Sequence, residues 1–278
     1  TANQRPNPIP VYAEMGSINP VVIMPDALKN RAESIADGLV NSITLGTGQF
    51  CTNPGLVFTL DSAETDAFVQ MVNTKMREKP SATLLNAGIQ AALTRTVEQT
   101  SKHVGVAVSA SGETSADVGY TFPNTLLSTD ALRFKADAVL QAEHFGPVSL
   151  FVRCTSMDEL VESLNSLEGN LTATVHAENN ELDAAARVFD VLREKVGRLI
   201  LNGYPTGVEV VHSMQHGGPY PATTAPATTS VGMTAIKRFM RPVAFQNMPD
   251  ALLPDALKAT NPLGIWRIVN DQMTREAL

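Results

Sequence analysis

The sequence predicts an α/β fold, a largely parallel sheet with helices on both faces. Short strand-like runs alternate with apolar stripes at helical spacing over ten or more residues, and parallel strands need crossovers of that length. A chain of 278 residues, 44% of them hydrophobic, can also bury a sizeable core. From Pro10 to Met24, short apolar runs broken by Gly16 and Pro20 predict two strand pieces around a tight bend. Asp26 is placed to cap a helix over about 27–44, where Leu28, Ala32, Ile35, Leu39 and Ile43 form one stripe. The loop from Gly46 to Gly55 then feeds a strand from Leu56 to Leu60.

Helices are expected over about 62–78, with Phe68, Met71 and Val72 inward, and over about 84–101, with Leu84, Ile89, Leu93 and Val97 inward. Val104 to Val108 reads as a strand, 109–130 as a polar loop, and 136–141 and 147–153 as strands. Ser156 and Glu159 form a capping box before a helix carrying Leu160, Leu164 and Leu167. A strand over 171–176, a helix over 182–196 and a strand over 198–202 complete the repeat. Residues 204–230, rich in Gly, Pro and Thr, make a long loop suited to the rim of a site. Phe239 to Phe245 reads as a strand, and Leu263 to Val269, with Trp266, as an apolar tail.

A formal charge of −7 disfavours nucleic acid and anionic membranes, which both require a basic footprint. Two cysteines in unlike settings, Cys51 and Cys154, argue against a disulfide framework and fit a reducing, cytoplasmic location. No apolar run approaches the roughly 18 residues of a membrane span. The opening at Thr1 leads almost at once into an apolar segment, so the chain is expected to begin mid-protein.

Two segments carry chemistry. Tyr12-Ala13-Glu14-Met15-Gly16-Ser17-Ile18-Asn19-Pro20 precedes Gly48-Gln49-Phe50-Cys51, with Glu14 and Cys51 separated by 37 residues. Together they resemble the two signatures of the aldehyde dehydrogenase superfamily, and Glu143-His144-Phe145-Gly146-Pro147, Leu171-Thr172-Ala173 and Asn202 agree in order. Tyr204-Pro205-Thr206-Gly207-Val208 and His216-Gly217-Gly218-Pro219 look most like the branch of 2-oxoglutarate semialdehyde dehydrogenases and bacterial fatty aldehyde enzymes. The resemblance implies that Cys51 is the nucleophile and Glu14 the general base. It implies that Glu143, Phe145 and Gly16 face an NAD or NADP cofactor, and that Phe50, Thr52 and His216 shape the aldehyde pocket. Residues 1–19 would then close a cofactor-domain segment, 20–235 form the catalytic domain, and 236–278 form an oligomerisation strand and tail of a dimer or tetramer.

Elementary chemistry accounts for these residue types. An aldehyde carbon must become electron-rich before it releases hydride, and a thiolate both adds to it and later leaves as a good leaving group. An ordinary thiol with a pKa near ~8.5 is only a few per cent thiolate at neutral pH, so the site must lower that value or supply a base. A carboxylate then activates water best when burial raises its pKa, which is expected of Glu14. The resemblance places one oxyanion donor and the dinucleotide-binding half upstream of Thr1, so the chain in isolation is expected to be inactive or very slow. Ser17-Ile18 replaces the family's common Gly-Lys, and Leu56 an arginine frequent after the cysteine.

Other patterns carry less. Gly46-Thr47-Gly48 lacks the third glycine of a phosphate loop, since position 51 is cysteine. Glu209, His212 and His216 are spaced like metal ligands but lack the helix and glutamate of a zincin, so no metal is expected. Cys154, following Leu150-Phe151-Val152-Arg153, is expected to be structural. Two other readings stay open: a thiol acyl-enzyme that hydrolyses without a nicotinamide, and a fragment that assembles without activity.

Overall fold

The computed structural model describes residues 2–114, 119–205 and 207–278. The chain divides after Ala235 into two compact units. In the first, β1 (Val21–Ile23), α1 (Pro25–Thr44), β2 (Leu56–Leu60) and α2 (Ala63–Glu78) are followed by β3 (Thr83–Leu84), α3 (Ala87–Ser101), β4 (Ala107–Ser111) and β5 (Tyr120–Thr121). Then come β6 (Thr125–Asp130), α4 (Ala131–Ala136), β7 (Val148–Cys154), α5 (Met157–Asn165), β8 (Asn170–His176), α6 (Leu182–Leu192) and β9 (Val196–Leu201).

Seven strands form one sheet in the order β4-β6-β7-β2-β1-β8-β9. Every neighbouring pair is parallel except β4 with β6. Successive residues of the central strands feed opposite faces, as a pleated strand requires. Val22, Phe58, Leu150 and Val152 pack with Leu93, Phe134, Leu160 and Val188 from α3 to α6. Val21, Ile23, Val57 and Phe151 pack on the other side with Ile35, Leu39, Phe68 and Val72 from α1 and α2. Both faces are thus covered, which is why β1, β2 and β7 are mostly apolar on both sides instead of alternating with polar residues.

Side-chain caps set most helix starts. Ser62, Asn86 and Asp130 each accept a backbone N–H from three residues on. Ser156 accepts from Glu159 N as expected, but the Glu159 carboxylate reaches back to Thr155 N at 2.7 Å, one residue before the cap. Helix α1 departs from the expected Asp26 cap. Pro25 opens it without a side-chain cap, and the buried carboxylate of Glu181, far along the chain, accepts from Asp26 N at 2.6 Å and Ala27 N at 3.0 Å. A carboxylate there satisfies two orphan amides and meets the positive end of the helix dipole.

Four expectations are corrected. Of the two strand pieces expected between Pro10 and Met24, the second is β1 and the first is absent; residues 10–20 make one bridge, Glu14 with Thr223, and the amides of Ile18 and Asn19 donate to the Asn170 side chain instead. Residues 125–130, read as loop, form an internal strand between β4 and β7. Residues 136–141, read as a strand, instead end α4 and form a tight turn of 3-10 helix at Ala138–Gln141, because Asp137 caps the turn through Val139 N. Phe239 to Phe245 pairs with no described segment, and Pro242 lacks the N–H a ladder needs.

In the second unit, residues 236–278, β10 (Arg267–Val269) and β11 (Gln272–Thr274) form an antiparallel hairpin that takes in the end of the expected apolar tail segment. Among the described residues, no helix is long and apolar enough to cross a membrane.

Glu181→Ala should lower the unfolding free energy by about 2 kcal/mol or more, since three charge-assisted hydrogen bonds, two to α1 and one to Glu178 N, are lost together with a helix-end charge. Urea denaturation of the protein measures this directly; a loss below about 0.5 kcal/mol would remove the remote cap from the account.

Candidate active site

The chemistry-bearing residues converge on the N-terminal ends of the parallel strands. Residues 14–20 lead into β1, 49–55 into β2, 143–147 into β7, and Gly169 stands just before β8. Open α/β sheets more often place sites at the opposite, carboxyl edge. Here the entering loops are bound to one another: Gly55 N donates to Ile18 O at 2.9 Å and Asn53 Nδ2 to Gly146 O at 2.8 Å.

Cys51 stands on a turn closed by Asn53 N donating to Phe50 O at 3.0 Å. The chain reaches that turn through three successive left-handed residues, Gly46, Thr47 and Gly48. A Cβ on Gly48 would lie 2.1 Å from the Gly146 backbone, so only glycine allows this approach to the strand beside it. The turn leaves Cys51 half-buried, with Phe50 exposed on one side and Thr52 buried on the other.

Glu14 arrives from an extended segment that borrows partners from the long loop over the same edge. Met15 N donates to Ala222 O at 3.0 Å and Thr224 N to Ala13 O at 3.0 Å. That loop is fastened by His216 N donating to Thr229 Oγ1 at 2.8 Å and Ser230 N donating to His216 O at 2.9 Å. The result is a three-way contact. Cys51 Sγ lies 3.3 Å from His216 Nε2, which is 3.2–3.3 Å from the two Glu14 oxygens. His216 is buried and its Nδ1 has no partner among the described residues, so Nε2 carries every polar contact of the ring.

The charges follow from that contact. Hydrogen bonds to Cys51 and then to Glu14 push His216 up to about 9, against the opposing effect of burial. Glu14 is held below the ordinary carboxylate value, chiefly by its hydrogen bond to His216, with burial pulling the other way. The rise expected for Glu14 from burial is therefore overturned, because a cationic partner outweighs partial desolvation. Ser230 Oγ donates to Glu14 Oε2 at 3.0 Å and was missed in the sequence. No motif marks it, because a loop serine acquires this role only when the loop folds back over residue 14.

A sequence profile of the aldehyde dehydrogenase family matches residues 2–224. The chain belongs to the aldehyde dehydrogenase family. An alpha-ketoglutaric semialdehyde dehydrogenase 2 from Azospirillum brasilense is 48% identical over 267 residues, which cover 96% of this chain and 51% of the relative. An alpha-ketoglutaric semialdehyde dehydrogenase from Acinetobacter baylyi is 40% identical over 274 residues, 99% of this chain and 52% of the relative. The chain thus spans about half the length of these relatives. Among solved structures, a double-mutant betaine aldehyde dehydrogenase from Staphylococcus aureus in complex with NAD+ superposes with a TM-score of 0.68 at 18% identity, over 84% of this chain and 46% of that one.

In this member of the aldehyde dehydrogenase family, Gly16, Glu143, Phe145 and Phe50 line two openings that share Ser17, Ile18 and Glu143. Gly16 and Glu143 line a cavity of about 270 Å³ together with Ser17, Gln141, Asn170 and Pro221. A Cβ on Gly16 would stand 3.1 Å from Glu143 Oε2, so glycine leaves that carboxylate room to face a ligand. Burial raises Glu143 above the ordinary carboxylate value, opposed by Ser17 N. A carboxylate in such a cradle suits the hydroxyl groups of a ribose. Phe145 stands apart from that cavity, in a narrow crevice with Phe50, Gly48 and Glu143.

Among the described residues, the one group of three potential metal ligands is Glu14, Cys51 and His216, whose donor atoms lie within 4.8 Å of one another. Glu209 and His212 remain exposed outside it. Cys154 is buried in the sheet core, and its thiol is pushed up to about 12 by desolvation.

Iodoacetamide labelling followed by peptide mass spectrometry should mark Cys51 and leave Cys154 unmodified until the protein unfolds. His216→Gln should slow labelling of Cys51 by roughly tenfold at neutral pH, because a cation beside the sulfur stabilises negative charge there. Since His216 loses its proton only above about 9, that difference should shrink as pH rises past this value. Equal rates for the parent and the variant at neutral pH would contradict the contact.

Proposed function

We propose that this chain supplies the nucleophile and the base of an NAD(P)-dependent aldehyde dehydrogenase, which oxidises an aldehyde to a carboxylate. The observation that carries this reading is the placement of His216 Nε2 between the Cys51 sulfur and the Glu14 carboxylate. Cys51 attacks the carbonyl carbon through sulfur, forming the C–S bond of a thiohemiacetal. Protonated His216, at 3.3 Å, stabilises the sulfur as thiolate for that attack.

Glu143, Gly16 and Phe145 are the residues that would hold the dinucleotide. When bound, a nicotinamide supplies the acceptor for the hydride that leaves the carbon on Cys51. The thioester left on Cys51 is then opened by water. Glu14 takes the proton removed from that water, and the sulfur departs as thiolate beside protonated His216.

Identity of 40–48% to two alpha-ketoglutaric semialdehyde dehydrogenases supports 2-oxoglutarate semialdehyde as substrate, with a fatty aldehyde next. On this reading residues 1–19 close the cofactor-domain segment and 20–235 form the catalytic domain; the division after Ala235 supports the second of these boundaries. In the second unit, Phe239, Met240, Trp266 and Ile268 are exposed apolar side chains, which supports a homo-oligomer, dimer or tetramer, assembled through residues 236–278. Two free cysteines fit a cytoplasmic setting.

Full-length enzyme mixed with 2,5-dioxopentanoate and NADP or NAD should generate reduced nicotinamide absorbance, and Cys51→Ala should abolish it. Glu14→Gln should slow turnover by about 10²-fold or more while a thioester accumulates on Cys51, visible by mass spectrometry. Hydrolysis of a thioester or amide at full rate without nicotinamide would establish the acyl-enzyme reading instead.

A further inference from the structure

We infer that Asn19 is a positioning residue for the Cys51 thiol. This rests on the reading above that Cys51 is the nucleophile. Asn19 is 1% exposed and adopts φ +45, in the left-handed region that few residues other than glycine occupy and that asparagine tolerates. Both donors of its amide are used on the nucleophile turn: Nδ2 donates to Cys51 O at 2.9 Å and to Asn53 O at 2.8 Å. Its Oδ1 accepts from Ser17 Oγ at 2.8 Å and from Thr172 Oγ1 and N at 3.0 and 3.3 Å. Oxygen could not replace nitrogen in that arrangement, because two carbonyls face one end of the amide and donors face the other.

The backbone N–H of Asn19 is fixed as well. It donates to Asn170 Oδ1 at 3.2 Å, which also accepts from Ile18 N at 2.7 Å. Ser17 Oγ in turn accepts Leu171 N at 2.9 Å. One buried side chain thus ties the carbonyl of the thiol-bearing residue to the start of β8 and to the segment that carries Glu14.

A turn held only by its own Asn53-to-Phe50 bond could tilt about the ends of residues 49–55. Fastening the Cys51 carbonyl fixes the tilt, and with it the line along which sulfur meets a bound carbonyl. Catalysis is sensitive to such placement: an error near 1 Å costs about 10²-fold. The other buried asparagines here, Asn53 and Asn170, hold a loop carbonyl at Gly146 and the amides of Ile18 and Asn19; among the described residues Asn19 is the one seen to hold Cys51 itself.

The decisive variant is Asn19→Asp, which keeps shape and acceptors but loses both donors to the turn. In the full-length enzyme, kcat for aldehyde oxidation should fall by about ten- to a hundredfold. The cofactor KM and the rate of iodoacetamide labelling of Cys51 should stay within about threefold, because a freely diffusing reagent does not need the thiol held on one line. Thr172→Val removes one donor that orients the same amide; it should show the same pattern at a smaller loss of kcat and serves if Asn19→Asp does not fold. A kcat within about twofold of the parent in a folded variant overturns the inference. So does a fall in labelling rate equal to the fall in kcat, which would make Asn19 a determinant of thiol chemistry or of folding instead of direction. Failure of the aldehyde dehydrogenase reading would show separately, as absent turnover in the parent or full turnover in Cys51→Ala.

Discussion

The parallel pairing of β1 with β2, Val21 beside Val57 and Ile23 beside Thr59, is the constraint from which the site follows. Glu14 and Cys51 are distant in sequence, and each lies on a segment with little regular structure of its own. Because both segments run into neighbouring strands whose side chains are buried on two faces, their ends are brought to one edge and held there. A one-residue slip would exchange the two buried faces, which the packing on both sides forbids.

That edge is then completed by a loop whose own geometry is polar. His216, Thr229 and Ser230 bind one another through backbone and hydroxyl groups, and the loop is joined to residues 13–15 by backbone hydrogen bonds. The loop therefore delivers an imidazole to a gap between a sulfur and a carboxylate. The electrostatic outcome is set by this meeting: the carboxylate is drawn down and the imidazole pushed up.

The sheet's central strands and long helices were legible because burial on both faces leaves a continuous apolar run or a stripe at helical spacing. Strand β6 was not, because Thr125, Ser128, Thr129 and Asp130 make a sheet-internal segment look like loop; its neighbours supply the burial that its composition does not announce. The run from Ala136 to Gln141 misled in the other direction, since a few apolar residues fit strand and turn equally until Asp137 is seen to cap. The Glu181 cap on α1 spans most of the chain and leaves no local signal.

Within the site, Cys51 and Glu14 stood out through two motifs at a fixed separation, and Glu143 and Gly16 through the same likeness. The sign of the Glu14 shift was not legible, because it depends on a histidine about two hundred residues away whose position only the folded loop fixes. Asn19 was visible as a letter in a motif, yet its role lies in the direction of its amide.

The most direct measurement is the nuclear magnetic resonance titration of the His216 imidazole, in the parent and in Cys51→Ala. The imidazole should titrate with a midpoint of about 9 in the parent, moving downward when the sulfur is removed. A midpoint at an ordinary histidine value of about 6.5, unchanged by that substitution, would show that the imidazole does not stand between the thiol and the carboxylate.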